Sequence, residues 1–211
     1  MKKKLIAALG GLIFFCQAAT SWAVVTTFNL SATVPAATGI SVTVSSVNST
    51  TLAFTTLAPG TTALSFDTMT LSPTLGIFLP DHFFALDFGV TGGAGTPDLT
   101  LTYTEGSNPN GGTVNGLGTK STATFAKEVV SGTTTTETIV APTTTTKARL
   151  IDLASTHVAS TVFAGGFARV YLGVWTGATT TPADPATGKP FTTTDKAGSY
   201  TGSLAITAVP L

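Results

Sequence analysis

Val24-Val25-Thr26-Thr27-Phe28-Asn29-Leu30-Ser31-Ala32-Thr33-Val34-Pro35 is the stretch on which the reading of this chain turns. Phe28, Leu30, Ala32 and Val34 fall at every second position, and Asn29, Ser31 and Thr33 fill the gaps. Successive side chains of a strand point to opposite faces, so this segment presents one apolar row and one polar row. Pro35 ends the run, because it has no N–H to give to a ladder. A strand lying ahead of the body of the chain, with so strict an apolar row, needs an acceptor groove. The groove belongs either to the same molecule or to another one.

What precedes the strand has the anatomy of an export signal over residues 1–23. Lys2, Lys3 and Lys4 make a positive start, Leu5 to Phe15 is a short apolar core, and Ser21-Trp22-Ala23 places small residues at the −3 and −1 positions of a cleavage site. The apolar run is shorter than the ~20 residues a membrane span takes, so no transmembrane segment is expected once the signal is removed. Cys16 follows Phe14 and Phe15, not the small residues of a lipoprotein processing site, and it is the one cysteine of the 211 residues. An exported chain without disulfides must be held by its core and its hydrogen bonds. Removing the signal takes three lysines and no acid from a chain with ten basic and ten acidic residues. The acidic excess excludes a basic patch for nucleic acid or anionic lipid.

Only 9% of the residues are charged, while 43% are hydrophobic. Exposed helices are usually coated with Glu, Lys and Arg, so few helices are expected. Thr and Val favour pleated, half-buried surfaces, and Gly and Pro punctuate turns. After the connector Ala36-Ala37-Thr38-Gly39, alternation predicts strands over Ile40–Val47, Leu52–Leu57 and a third through Leu64, Phe66, Met69 and Leu71. Leu75–Leu79 is apolar and ends at Pro80. His82–Val90 reads as a strand with Phe84, Leu86, Phe88 and Val90 on one face. Asp98–Thr104 alternates with Leu99, Leu101 and Tyr103 together, and the two runs read as a hairpin. A strand over Thr122–Val130 follows. Threonine runs at 133–136 and 143–146 then flank Glu137–Val140 as a solvated hairpin rim or a place for glycans. Over 148–158 helix and strand compete. Phe167–Trp175 reads as a strand with little polar interruption, and Gly198–Leu211 closes the chain. Short strands at turn-marked intervals predict an all-β fold, an immunoglobulin-like β-sandwich, over residues 36–211.

Nothing in the sequence assembles a catalytic or metal centre. Of the two histidines, His82 would face away from Asp87 on a common strand, and His157 has no ligand set beside it. Asp184 and Asp195 match no calcium-loop spacing. Tyr103, Tyr171 and Trp175 read as plugs of the core. The expectation is a protein that is no enzyme and takes no cofactor.

The two ends carry the stronger pattern. Tyr200, Leu204 and Ile206 share one face of the closing strand, and Gly202 between them leaves room for a close approach. Phe28-Asn29-Leu30-Ser31-Ala32-Thr33-Val34 near the start and Gly198-Ser199-Tyr200-Thr201-Gly202-Ser203-Leu204 near the end resemble the chaperone–usher pilins, most closely their cysteine-free class 5 or alpha fimbriae. The resemblance does not extend through 105–190, and Pro210 departs from a strand that would pair to its end. It implies a sandwich lacking its last strand, with residues 24–35 as an N-terminal donor strand. Donor positions would be Phe28, Leu30, Ala32 and Val34. The acceptor groove edge would be Tyr200, Gly202, Leu204 and Ile206 of another copy. The partners implied are further copies of the chain, a periplasmic chaperone and an outer-membrane usher. The place implied is the periplasm in transit and then a cell-surface fimbria serving adhesion or biofilm formation. The single domain leans towards a shaft subunit. The competing reading is a self-contained secreted adhesin or matrix protein that folds its first strand into its own sandwich.

Overall fold

In the computed structural model the alternating stretch is a strand, β1, Thr27–Thr33. The structure describes residues 27–33, 39–90, 96–140, 147–153, 156–174 and 189–210. The signal segment, Val34, the second threonine run, Trp175 and Asp184 lie outside the described residues. After β1 come β2 (Ile40–Asn48), β3 (Phe54–Thr56), β4 (Ala63–Thr68), β5 (Thr70–Ser72), β6 (Ile77–Leu79), β7 (His82–Val90) and β8 (Pro97–Glu105). A single helical turn, α1 (Leu117–Lys120), leads into β9 (Ser121–Ser131) and β10 (Thr134–Val140). Then follow β11 (Lys147–Arg149), β12 (Thr156–Val158), β13 (Phe167–Val174) and β14 (Tyr200–Pro210). The protein is mostly strand, with little helix among the described residues.

The strands form two large sheets and a small one. The first runs β12-β8-β14-β1-β4, and the second runs β10-β9-β13-β7-β2-β3 with β11 beside β9. β5 and β6 pair on their own. Every pairing among the described strands is antiparallel except β1 with β14. One apolar cluster joins the two large sheets. Leu30, Leu64, Phe66, Leu99, Leu101, Leu204 and Ile206 come from the first, and Phe84, Leu86, Phe88, Phe125 and Val170 from the second. Burial of so much apolar surface is the main driving force available to a chain with so few charges.

Several sequence expectations meet this arrangement differently. His82–Val90 is β7, with Phe84, Leu86 and Phe88 buried on one face. It does not form a hairpin with Asp98–Thr104. β7 lies between β13 and β2, whereas β8 lies between β12 and β14 in the other sheet. Two strands that each bury one face look alike whether they pair edge to edge or face each other across a core. The third expected strand is split. Asp67 has φ 51 and the pairing shifts register beside it; β4 stays on β1 to Thr68, and after Met69 the chain begins β5 in the small sheet. Met69 is still buried. The contested 148–158 segment takes neither form throughout. It is the short β11, a 3-10 turn at Leu150–Asp152 and the short β12, with Leu150, Leu153 and Val158 buried.

The first threonine run does form a rim. β9 and β10 pair from Ser131↔Thr134 to Phe125↔Val140, and Gly132 with φ 62 takes the first place of the two-residue turn.

Candidate functional site

β1 sits inside the first sheet, between β14 and β4 of its own chain. Its register on β14 is Phe28↔Tyr200, Leu30↔Gly202 and Ala32↔Leu204. Its register on β4 includes Leu30↔Leu64. Leu30 and Ala32 are 1% and 3% exposed, while Asn29 and Ser31 are exposed, so the two members of the apolar row whose side chains are described enter the core. The Ala32 N–H also donates to the Thr62 carbonyl at 2.7 Å. β1 thus meets three of the four residues named for the groove, Tyr200, Gly202 and Leu204. Ile206 lies beyond its register and pairs with Leu101 of β8. The strand β14 is therefore no open edge over this span, being flanked by β8 on one side and β1 on the other.

The closing strand supplies the floor. Tyr200, Gly202, Leu204, Ile206 and Ala208 are buried in alternation with more exposed neighbours. Pro210 does not cut the strand short, because β14 keeps its register on β8 as far as Pro210↔Pro97. The Tyr200 hydroxyl donates to the Lys196 carbonyl at 2.8 Å, its ring stacks edge-on with Phe191 at 4.9 Å, and burial pushes its pKa up to about 12. Gly202 does leave room, and Tyr103 of β8 takes it. A methyl group at Gly202 would lie 2.2 Å from the Tyr103 hydroxyl oxygen. The ring is held from the other side by Gly118, where an added Cβ would come within 2.3 Å of the Tyr103 Cε1.

A second constellation lies on the other sheet. The Arg169 guanidinium holds Asp87 in a fork, with Nε to Oδ1 at 2.6 Å and Nη2 to Oδ2 at 2.9 Å. Its Nη1 donates to Glu128 Oε1 at 2.7 Å and to the Tyr171 hydroxyl at 3.2 Å. The Tyr171 hydroxyl in turn donates to Glu137. Phe54 lies under the guanidinium at 4.9 Å. Glu128 and Glu137 stand directly opposite each other on β9 and β10. Burial first, and the Glu137 carboxyl next, push Glu128 up to about 7, despite Arg169. Burial pulls the Arg169 guanidinium down, but Asp87 outweighs it and keeps it firmly protonated. A cavity of about 330 Å³ opens here, lined by Phe54, Phe83, Glu128, Glu137, Arg169 and Tyr171 among others. Tyr171 belongs to a small cluster with Val47, Phe83, Ala85 and Ala126, separate from the main core that holds Tyr103. Sequence reasoning missed this network. Its signal was present as lone charges in otherwise apolar strands, Asp87 in H-F-F-A-L-D-F-G-V and Arg169 in F-A-R-V-Y-L-G-V.

Of the residues weighed for metal or acid–base work, His82, His157, Asp87 and Asp195 are among those the structure describes. His82 bonds Asp81 and the Ser65 carbonyl, and His157 meets Asp98 at 3.1 Å. Asp195 accepts from the buried Lys120 ammonium at 2.7 Å, and from Thr192 and Asn110. Burial lowers the Lys120 pKa, with Asp195 opposing it. Among the described residues no group of three potential metal ligands converges, and no helix is long and apolar enough to cross a membrane. Compared with protein-family models, with curated proteins and with solved structures, the chain matches none.

Proposed function

We propose that this chain is an exported structural subunit whose immunoglobulin-like sandwich polymerises by exchanging β1 between copies, as a shaft subunit of a bacterial surface fimbria. The carrying observation is the position of β1. The first strand of the described chain lies against the last, Leu30 and Ala32 enter the core, and the polar row stays outside. A strand so placed fills a groove between two neighbouring strands, β14 and β4. In this reading the monomer is a closed form in which β1 fills its own groove. The fibre repeats the same contact between neighbours, as domain swapping does. The register would then be preserved, with Leu30 facing Gly202 of the next copy. A periplasmic chaperone and an outer-membrane usher are the partners such assembly calls for, and adhesion or biofilm formation the service it performs.

The pairing of β1 within its own chain also favours the second reading, a self-contained secreted adhesin or matrix protein. Cysteines at Ser31 and Ser203 separate the two, because these residues face each other across the parallel pair. Oxidation of Ser31→Cys/Ser203→Cys protein should give a ladder of covalent oligomers on a denaturing gel if the strand is exchanged. A single band of monomer size, under conditions in which the unmodified protein is collected from the cell surface, would establish the self-contained reading and refute the fibre.

A further inference from the structure

The strand β10 closes one end of the second sheet. One side of it pairs with β9, and among the described residues no strand pairs with the other. The remaining sheet ends are blunted. β3 and β12 are three residues long, and β4 carries a bulge and the left-handed Asp67. β10 has no such protection. Six of its seven residues are β-branched (Thr134, Thr135, Thr136, Thr138, Ile139 and Val140), with no proline, lysine or glycine among them. Natural edges are usually guarded by such residues, because an open row of N–H and C=O groups templates a further strand. The single charge, Glu137, is occupied by Tyr171 and lies 3.8 Å from Arg169, so it is drawn towards its own molecule.

We propose that this edge is a lateral contact between copies of the chain, β10 of one molecule pairing antiparallel with β10 of another. The strand fits its own copy. In a two-fold pair, opposed residues must share a face. The arrangement centred on Thr136 satisfies this, placing Thr135 opposite Glu137 and Thr134 opposite Thr138. No two carboxylates then meet, and the threonines can hydrogen-bond across the pair. A seven-residue edge falls short of the ~1,200–2,000 Å² that stable interfaces bury, so the contact is weak between free molecules and strong where many copies are arrayed. The part concerning arrays rests on the fibre reading, whereas the pairing of two free molecules does not.

Sedimentation velocity over a wide concentration range, on the full protein and on Thr136→Lys and Thr138→Lys made separately, tests it. Circular dichroism checks that each variant is folded. The unsubstituted protein should self-associate at the upper concentrations, and each lysine should weaken this at least tenfold. Amide exchange in β10 of the unsubstituted protein should slow as its concentration rises, a readout independent of any substitution. Protein that stays monomeric throughout, or association that both lysines leave unchanged, overturns the proposal. Covalent ladders from the Ser31/Ser203 cysteines with no lysine-sensitive association would refute the lateral contact and leave strand exchange standing. Lysine-sensitive dimers without ladders would do the reverse.

Discussion

Shortening Leu30 to alanine measures how far β1 is part of the folded body. Leu30 is 1% exposed and lies in the cluster shared by both sheets. The substitution removes three carbons, worth about 0.8 kcal/mol each in transfer alone, or about 2.4 kcal/mol. The cavity left between Leu64 and the β14 backbone adds to this, because close-packed surroundings relax only in part. The total is then roughly 3–4 kcal/mol, inside the ~2–5 kcal/mol span of buried leucine truncations. For a chain of this size that corresponds to a fall of roughly 6–16 °C in Tm. Equilibrium urea unfolding gives the direct value, with the midpoint moving and the slope unchanged. Ser31→Ala is the control, since Ser31 is exposed in the same strand and should shift stability by less than ~0.5 kcal/mol. If β1 is exchanged between copies, the Leu30→Ala loss will also depend on protein concentration. Equal, small effects of the two substitutions would mean that β1 is a loosely attached tail, and the reasoning about the groove would be refuted.

Glu128 should make stability fall as pH rises. Its pKa in the folded protein is about 7 against an ordinary value of 4.5, so the folded state binds its proton more tightly than the unfolded chain does. Below about 4.5 both states are protonated and there is no penalty. Between about 4.5 and 7 the penalty grows, and above 7 it is complete. Urea midpoints measured across that window should decline for the natural protein and lose this part of their slope in Glu128→Gln. Gly202→Ala should destabilise by roughly 1–3 kcal/mol through overpacking against Tyr103. Adding Tyr103→Phe, which removes the atom nearest the new methyl, should recover part of the loss in a double-mutant cycle of thermal midpoints. Additive effects would show that the clash is relieved some other way.

Period-two alternation made β1, β7, β8 and β14 legible, because each carries an apolar row at every second position, although β7 also buries Phe83 and Ala85 on its other face. It could not say which strands are neighbours. Leu99 and Leu101 face the same core as Phe84 and Leu86, and the pattern is identical for a hairpin partner and for a strand in the opposite sheet. The split of the third expected strand did leave a trace, since the apolar spacing lengthens from two to three residues between Phe66 and Met69, around the left-handed Asp67. At Leu150 and Leu153, three-residue spacing reflected a single 3-10 turn and not a helix. That Thr27–Thr33 and Tyr200–Pro210 are both strands was readable from their alternation; that they pair within one chain was not. The Arg169 network was not, for its members come from β7, β9, β10 and β13, and only pairing of those strands brings the charges together.

The parallel contact between β1 and β14 has a temporal side. Phe28 and Tyr200 are neighbours across roughly 170 residues of chain. During synthesis β1 leaves the ribosome well before its partner strand. Until β14 emerges, the apolar row of β1 has one native neighbour at most, β4, and Leu30 has no Gly202 to face. Closing so long a loop is slow relative to forming the local pairs β9–β10 or β2–β7. A chain emerging in sequence order therefore carries the apolar row of β1 without its β14 neighbour until Tyr200–Pro210 has been made.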